Sequence, residues 1–329
     1  GTTNAAENTT SSVTIRATDN ADSSVFLDRT FTLKAVTAEL YAFSSPFTFT
    51  SAGVAGRTGP TLTQLRAAYS PAWTDYTSNL NVTTQGIQEW TVPKTGTYQI
   101  EAFGARGGTS TGGISGKGAR MRGNFTLVKG AIIKILCGQP GYGHGASTCD
   151  SGGGGGTFVI KTPYNTNPGS IMLIAGGGGG GGNTQNSGNP NASITTSGQN
   201  GSSGQAGGTG GSGGAQGHGA SGAGFGGDGA MPTWGGGTGF TVASRFTNGG
   251  IGGNSTNTNP QRFGGFGGGA GGHGNCCIGS GAGGGYSGGG GTDSCKDGAG
   301  GGSYNSGTSQ SNSAGADSSD VGYVIVTLL

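Results

Sequence analysis

The chain has 329 residues, of which 81 are Gly and 10 are Pro, and 9% are charged, less than half the charged fraction of an ordinary soluble domain. Lys and Arg number 16 against 14 Asp and Glu, a net charge of +2, and the basic residues are scattered, which argues against a nucleic-acid partner. No apolar run approaches the ~20 residues of a membrane span, so no transmembrane segment is expected.

In chain order, SVTIRATDNADSSVFLDRTFTLKAV carries two alternating apolar patterns. Val13 and Ile15 form the first, and Phe26, Phe31 and Leu33 the second, with the turn-forming TDNADSS between them. A hairpin is expected, so residues 1–40 are read as a strand arm or the remnant of a preceding repeat. The first residue is not Met and no leader is legible, so the chain is expected to be a processed or excised part of something longer. PFTFT (46–50) then reads as a short strand. TLTQLRAAY (61–69) places Leu62, Leu65 and Tyr69 at helical spacing behind a Thr cap. GIQEWTV (86–92), TYQIEAF (97–103), GNFTLV (123–128) and AIIKIL (131–136) follow as strands separated by turns, without intervening helices, which predicts an antiparallel sandwich or barrel.

From about residue 150 glycine dominates. Composition alone permits a disordered linker. TFVI (157–160) and SIMLIA (170–175) interrupt the glycine, however, and SIMLIA has the continuous apolar character of a strand buried on both faces. The glycine stretch is therefore expected to be ordered and seeded by these strands. Glycine is entropically costly to fix, so isolated runs would not order on their own.

The blocks FTFTSAGVAGRTGPTLTQLRAAYS, WTVPKTGTYQIEAFGARGG, IKILCGQPG, SGGGGGTFVIK, IMLIAGGGGGGG and GGFGGGAGGHGNCCIGSGAGGGYSGG, in that order, resemble the glycine-rich extracellular region of the anaplastic lymphoma kinase and leukocyte tyrosine kinase receptors. Similar glycine-rich modules occur in bacterial, phage and viral surface proteins, and IRATDN with DRTFTL resembles the last strands of an immunoglobulin-like or cadherin-like repeat. The resemblance implies a mainly β fold, an antiparallel β-sandwich with an inserted bundle of polyglycine II helices. On this reading residues 41–329 form one glycine-rich domain, with the sandwich at 41–175 plus 321–329 and the bundle at about 150–310. Kinase and transmembrane segments are absent from the sequence, so the fold is taken from the resemblance and the receptor function is not.

Candidate sites are sparse. Cys137, Cys149, Cys276, Cys277 and Cys295 show neither CxxC nor zinc-finger spacing. With sequons at Asn8, Asn81, Asn124, Asn191, Asn200 and Asn254, they point to an oxidising, extracellular setting. Cys137–Cys149 is the favoured bridge, with Cys295 joined to Cys276 or Cys277, and an odd cysteine count leaves one thiol free or paired to another chain. His144, His218 and His273 are isolated, and no triad, metal spacing or dinucleotide fingerprint is legible. No catalytic residue, metal or cofactor is therefore expected. Tyr142, Trp234, Phe240 and Tyr286 are the candidates for a binding tip, set against the plainer role of plugging the bundle or packing on the sandwich. The expected function is a non-enzymatic structural or adhesive subunit of an extracellular filament, fibre or virion appendage, on a cell or virion surface. It would self-associate through strand pairing by the arm. The alternatives are an adhesin that contacts a cell-surface glycan or protein through the bundle tip, and a ligand-binding receptor ectodomain.

Overall fold

The computed structural model describes residues 10–34, 38–110, 112–143, 151–183, 189–233, 239–255, 262–273, 279–315 and 320–329. The chain divides into two compact units, Gly1–Leu40 and Tyr41–Leu329.

In the first unit, β1 (Thr10–Thr18) and β2 (Phe26–Lys34) form an antiparallel ribbon paired along its whole length. Asp19 and Asp22 shape its turn, Oδ1 of Asp19 accepting from the Ala21 N–H at 2.7 Å and Oδ1 of Asp22 from the Ser24 N–H at 2.9 Å. These Asx contacts fix the reversal. Register and strand alternation put Val13, Ile15, Ala17, Leu27, Arg29 and Phe31 on one face. Thr14, Arg16, Asp28 and Thr30 occupy the other, where the Arg16 guanidinium meets the Asp28 carboxylate through two bonds of 2.7 Å.

The second unit is mainly β, built from two antiparallel sheets in a sandwich-like arrangement. β3 (Phe47–Phe49), β6 (Gly96–Phe103), β7 (Arg120–Leu127), β14 (Thr308–Ser313) and β15 (Tyr323–Leu328) form one sheet in the order β14-β7-β6-β15-β3. β4 (Leu80–Thr84), β5 (Ile87–Thr91), β8 (Ile132–Leu136), β9 (Thr157–Lys161), β10 (Ile171–Ala175) and β13 (Tyr304–Asn305) form the other, in the order β13-β10-β9-β8-β5-β4. A short pair joins β11 (Phe240–Thr241) to β12 (Asn254–Ser255). Between the sheets lie Phe47, Phe49, Trp73, Trp90, Tyr98, Ile100, Met121, Ile135, Leu173 and Val324. The aromatic pairs have ring centroids as close as 4.8 Å, in edge-on contact, and truncating any one of these rings would cost roughly 3–5 kcal/mol. The helix α1 (Leu62–Ala68) starts on a capping box, in which Thr61 Oγ1 accepts from the Gln64 N–H at 3.3 Å and Gln64 Oε1 accepts from the Thr61 N–H at 2.8 Å. It buries Leu65.

The six-stranded sheet is covered on its second face as well. Ile87, Leu136, Phe158, Ile160, Ile171 and Ile174 face Phe225, Phe246, Phe266 and Tyr286, which arrive from the glycine-rich segments. β10 is accordingly buried throughout, as the continuous apolar run SIMLIA predicts, and a register irregularity between Ile171 and Leu173 lets its side chains serve both layers. One boundary differs from the expectation: β13 belongs to a sheet although it lies within the span assigned to the bundle, and β14 begins at the end of that span. The polar sequence TSQSNS of β14 has no apolar signal because it is an edge strand, held by backbone pairing to β7.

The run Gly176–Gly182 sits at the centre of the glycine-rich segments. Its N–H groups donate to other segments and change direction residue by residue with a period of three. Gly177 and Gly180 donate to Gly284 and Gly281, Gly178 and Gly181 to Ala105 and Gly108, and Gly179 to Pro190, at 2.8–2.9 Å. Its carbonyls repeat the same period. Gly176 and Gly179 accept from Ala119 and Gly116, Gly177 and Gly180 from Gly301 and Gly298, and Gly178 and Gly181 from Gly154 and Ser151. Six segments thus surround one run, and each of its peptide groups is paired without a hydrogen bond inside the run. Side chains close the ends: Ser303 Oγ accepts from Gly176 N at 3.0 Å, and the buried Asp297 Oδ1 from Gly182 N at 2.8 Å. The approach is possible only without side chains, since a Cβ on Gly177, Gly179 or Gly180 would overlap the backbone of Gly154, Gly298 or Ser151.

Candidate functional site

Two surfaces stand out against this scaffold. The first is the apolar face of the ribbon. Ile15 is 59% exposed, Leu27 58% and Phe31 50%, whereas a two-stranded ribbon is marginal in water without a covered face. On the opposite face Arg16 lies 3.9 Å above the Phe26 ring and pulls the Asp28 carboxyl below its usual range.

The second is a groove in the larger unit. Its main cavity, of about 370 Å³, is lined by Thr58, Thr84, Gln85, Thr247, Asn248, Gly249, Ile251 and Phe266. A neighbouring hollow of about 140 Å³ shares Thr84, Thr247 and Gly249 and adds Ile87, Lys134, Tyr164, Asn165 and Phe246. The floor is built by close approach: the Phe266 ring seats between Gly59 and Gly86, where a Cβ on either would overlap it. The wall is pinned by Tyr164, at φ 72°, whose hydroxyl donates to the Ile132 carbonyl at 3.0 Å under the Lys134 ammonium. A non-glycine residue held at positive φ is uncommon and tends to mark a constrained site. Gln85 Nε2 donates to the Gly59 carbonyl at 3.0 Å. Among the described residues, the side chains of Thr58, Thr84, Asn165, Thr247 and Asn248 make no hydrogen bond. The sequence carries no signal for this groove, because its lining comes from six separate stretches of the chain.

The expected tip is not assembled. Phe240 is 7% exposed and stacks on His273 at 5.1 Å, and Tyr286 is 6% exposed, its hydroxyl donating to Asn167 Oδ1 at 2.9 Å. Both take the packing role, because burying a ring against the glycine-rich segments removes more apolar surface from water than a tip would allow. Tyr142 is half-buried and meets Phe263 edge-on at 5.3 Å. Trp234 lies outside the described residues.

Cys137 corrects the favoured bridge. It is a free thiol, 1% exposed, whose Sγ donates to the Phe49 carbonyl at 3.3 Å. It follows β8 and lies in the sandwich core, and burial raises its pKa well above the ordinary thiol value, leaving it inert. Cys295 is disulfide-bonded, while Cys149, Cys276 and Cys277 lie outside the described residues. Among the sequons, Asn254 is 4% exposed within β12 and has no room for a glycan. Asn191 and Asn200 are exposed, with their Oδ1 atoms accepting from Lys117 N and Gly207 N. Asn81 and Asn124 are half-buried on β4 and β7, and Asn8 and His144 lie outside the described residues.

His218 Nδ1 sits 2.8 Å from Ser294 Oγ and 3.0 Å from Asp293 Oδ1. The Ser203 hydroxyl, more than the imidazole, lowers the Asp293 carboxyl. Among the described residues no cluster of His, Cys, Asp and Glu is arranged to hold a metal ion, and no helix is long and apolar enough to cross a membrane.

The arrangement defines a class, an antiparallel β-sandwich to which densely hydrogen-bonded glycine segments are fused. No family model matches the chain. It is similar to the leukocyte tyrosine kinase receptor of Mus musculus, 37% identical over 98 residues, which are 29% of this chain. The match spans 11% of that receptor, and the relation is distant.

Proposed function

We propose that the chain is a non-enzymatic extracellular module that joins a second copy of itself through the ribbon of residues 10–34, as the subunit of a surface fibre or adhesive assembly. The observation that carries this reading is the exposed apolar face of Val13, Ile15, Leu27 and Phe31 on a ribbon that is marginal alone. Both outer strand edges also offer backbone groups for sheet extension. The glycine segments are read as polyglycine II rods. The three-residue period of hydrogen-bond direction along Gly176–Gly182 supports this, since that helix has about three residues per turn and no internal bonds. Rods paired on all sides make a stiff support for what the surface presents.

The intact chain is expected to show a concentration-dependent rise in mass by light scattering, and the double variant Ile15→Asp/Phe31→Asp to remain monomeric. Thr14→Ala, on the polar face, should leave association unchanged. An intact chain that stays monomeric up to high micromolar concentration would sink the proposal.

The similarity to a receptor favours a second reading, a ligand-binding ectodomain. In that case the ribbon would pack on a neighbouring domain, and association would be with a ligand rather than with a copy.

A further inference from the structure

We infer that the groove between the β4–β5 turn and the Phe246–Asn248 turn binds a neutral polyhydroxylated ring, a sugar unit of a glycan. The groove lies entirely within residues 58–266, so the inference stands whether or not the ribbon self-associates. Its main cavity, about 370 Å³, falls in the roughly 300–1,000 Å³ range of small-ligand sites.

The chemistry of the lining selects the ligand. Ile251, 38% exposed, supplies apolar surface over the buried Ile87, Phe246 and Phe266, suited to the C–H face of a pyranose. Around it stand the hydroxyls of Thr58, Thr84 and Thr247 and the amides of Asn165 and Asn248, all without hydrogen-bond partners among the described residues. Hydroxyls and amides both donate and accept, as a ring of sugar hydroxyls requires. The charged side chain at the groove is Lys134, which is already committed: its ammonium is 3.4 Å from Glu89 Oε1 and 4.5 Å from the centre of the Tyr164 ring. An anionic ligand therefore finds no open counter-charge. An extended peptide is disfavoured too, since β4, the adjacent edge strand, has a register irregularity between Asn81 and Thr84 that interrupts the backbone edge a peptide would pair with.

Saturation-transfer NMR on the intact chain tests this with methyl β-D-galactopyranoside, methyl α-D-mannopyranoside, N-acetylglucosamine and chitobiose, and with a sulfated heparin disaccharide as the anionic probe. At least one neutral sugar is expected to receive saturation on its ring protons. In Thr247→Ala/Asn248→Ala its affinity should fall about fivefold or more, in line with the loss of two hydrogen bonds. Both side chains are exposed and make no hydrogen bond among the described residues, so the variant should melt as the parent does. Three results would overturn the inference: no transfer to any neutral sugar, stronger transfer to the sulfated disaccharide, or undiminished sugar binding in a folded double variant.

Discussion

Glycine serves two different physical purposes in this chain, and single substitutions separate them. Gly130 is at φ 81° with open space around its Cα. Its requirement is conformational, so Gly130→Asn, a residue that tolerates the left-handed region, should cost no more than about 1 kcal/mol. Gly179 is needed for lack of volume: a Cβ there would overlap the Gly298 carbonyl, and its own N–H and C=O are held by Pro190 and Gly116. Gly179→Val must push whole segments apart and is expected to destabilise by about 3 kcal/mol or more. Thermal melting of the two variants side by side checks this, and a Gly179→Val protein that melts with the parent would refute the close-packed account. At the same scale, Cys137 shows how position overrides residue type, since one residue beyond β8 its thiol belongs to a core and not to a bridge.

Among the elements, α1 is short enough that its cap should matter. Thr61→Ala removes the side-chain half of the capping box, so a loss of about 1 kcal/mol is expected in denaturant unfolding. Tyr69, immediately after the helix, ties it to the sandwich: its hydroxyl accepts from the Thr50 N–H at 2.8 Å and donates to Gln88 Oε1 at 2.8 Å. The ribbon responds to pH through Asp28, whose carboxyl Arg16 holds below its usual range. That contribution is fully present above the unfolded value of about 3.9 and is lost as pH falls through the lowered folded value. Cross-strand contacts between Thr14 and Thr30 in NMR spectra should therefore persist at pH 5 and weaken toward pH 3. Arg16→Gln should remove this acid dependence. Because both groups are exposed, the effect is small and should shrink further with salt.

At the level of the whole molecule, the larger unit is held by two apolar layers flanking one sheet and by peptide groups pairing across glycine segments. The second source of cohesion uses neutral backbone, which fits a chain with 9% charged residues. It also explains how a quarter of the sequence can be glycine without the body losing order. The entropic cost of fixing each glycine, roughly 1–2 kcal/mol or more, is offset only when all neighbours are in place. The lattice should accordingly form together with the sandwich rather than before it.

By itself the sequence determined what short-range pattern can encode. SIMLIA and TFVI read as buried strands, TLTQLRAAY as a capped helix, SVTIRATDN with VFLDRTFTL as a hairpin, and the glycine runs as side-chain-free packing surfaces. Only the tertiary structure decided the rest. It recruited the hydrophilic TSQSNS as an edge strand, withdrew Phe240 and Tyr286 from the surface, kept Cys137 as a thiol, and brought Thr58, Thr84, Asn165 and Thr247 around one groove. The reason is physical. Periodicity reports which face of a local backbone is apolar, whereas a glycine, a threonine or a cysteine looks the same in sequence whatever lies opposite it. The partners of Gly176–Gly182 run from Ala105 to Ser303, and only closure of the whole chain chooses among them.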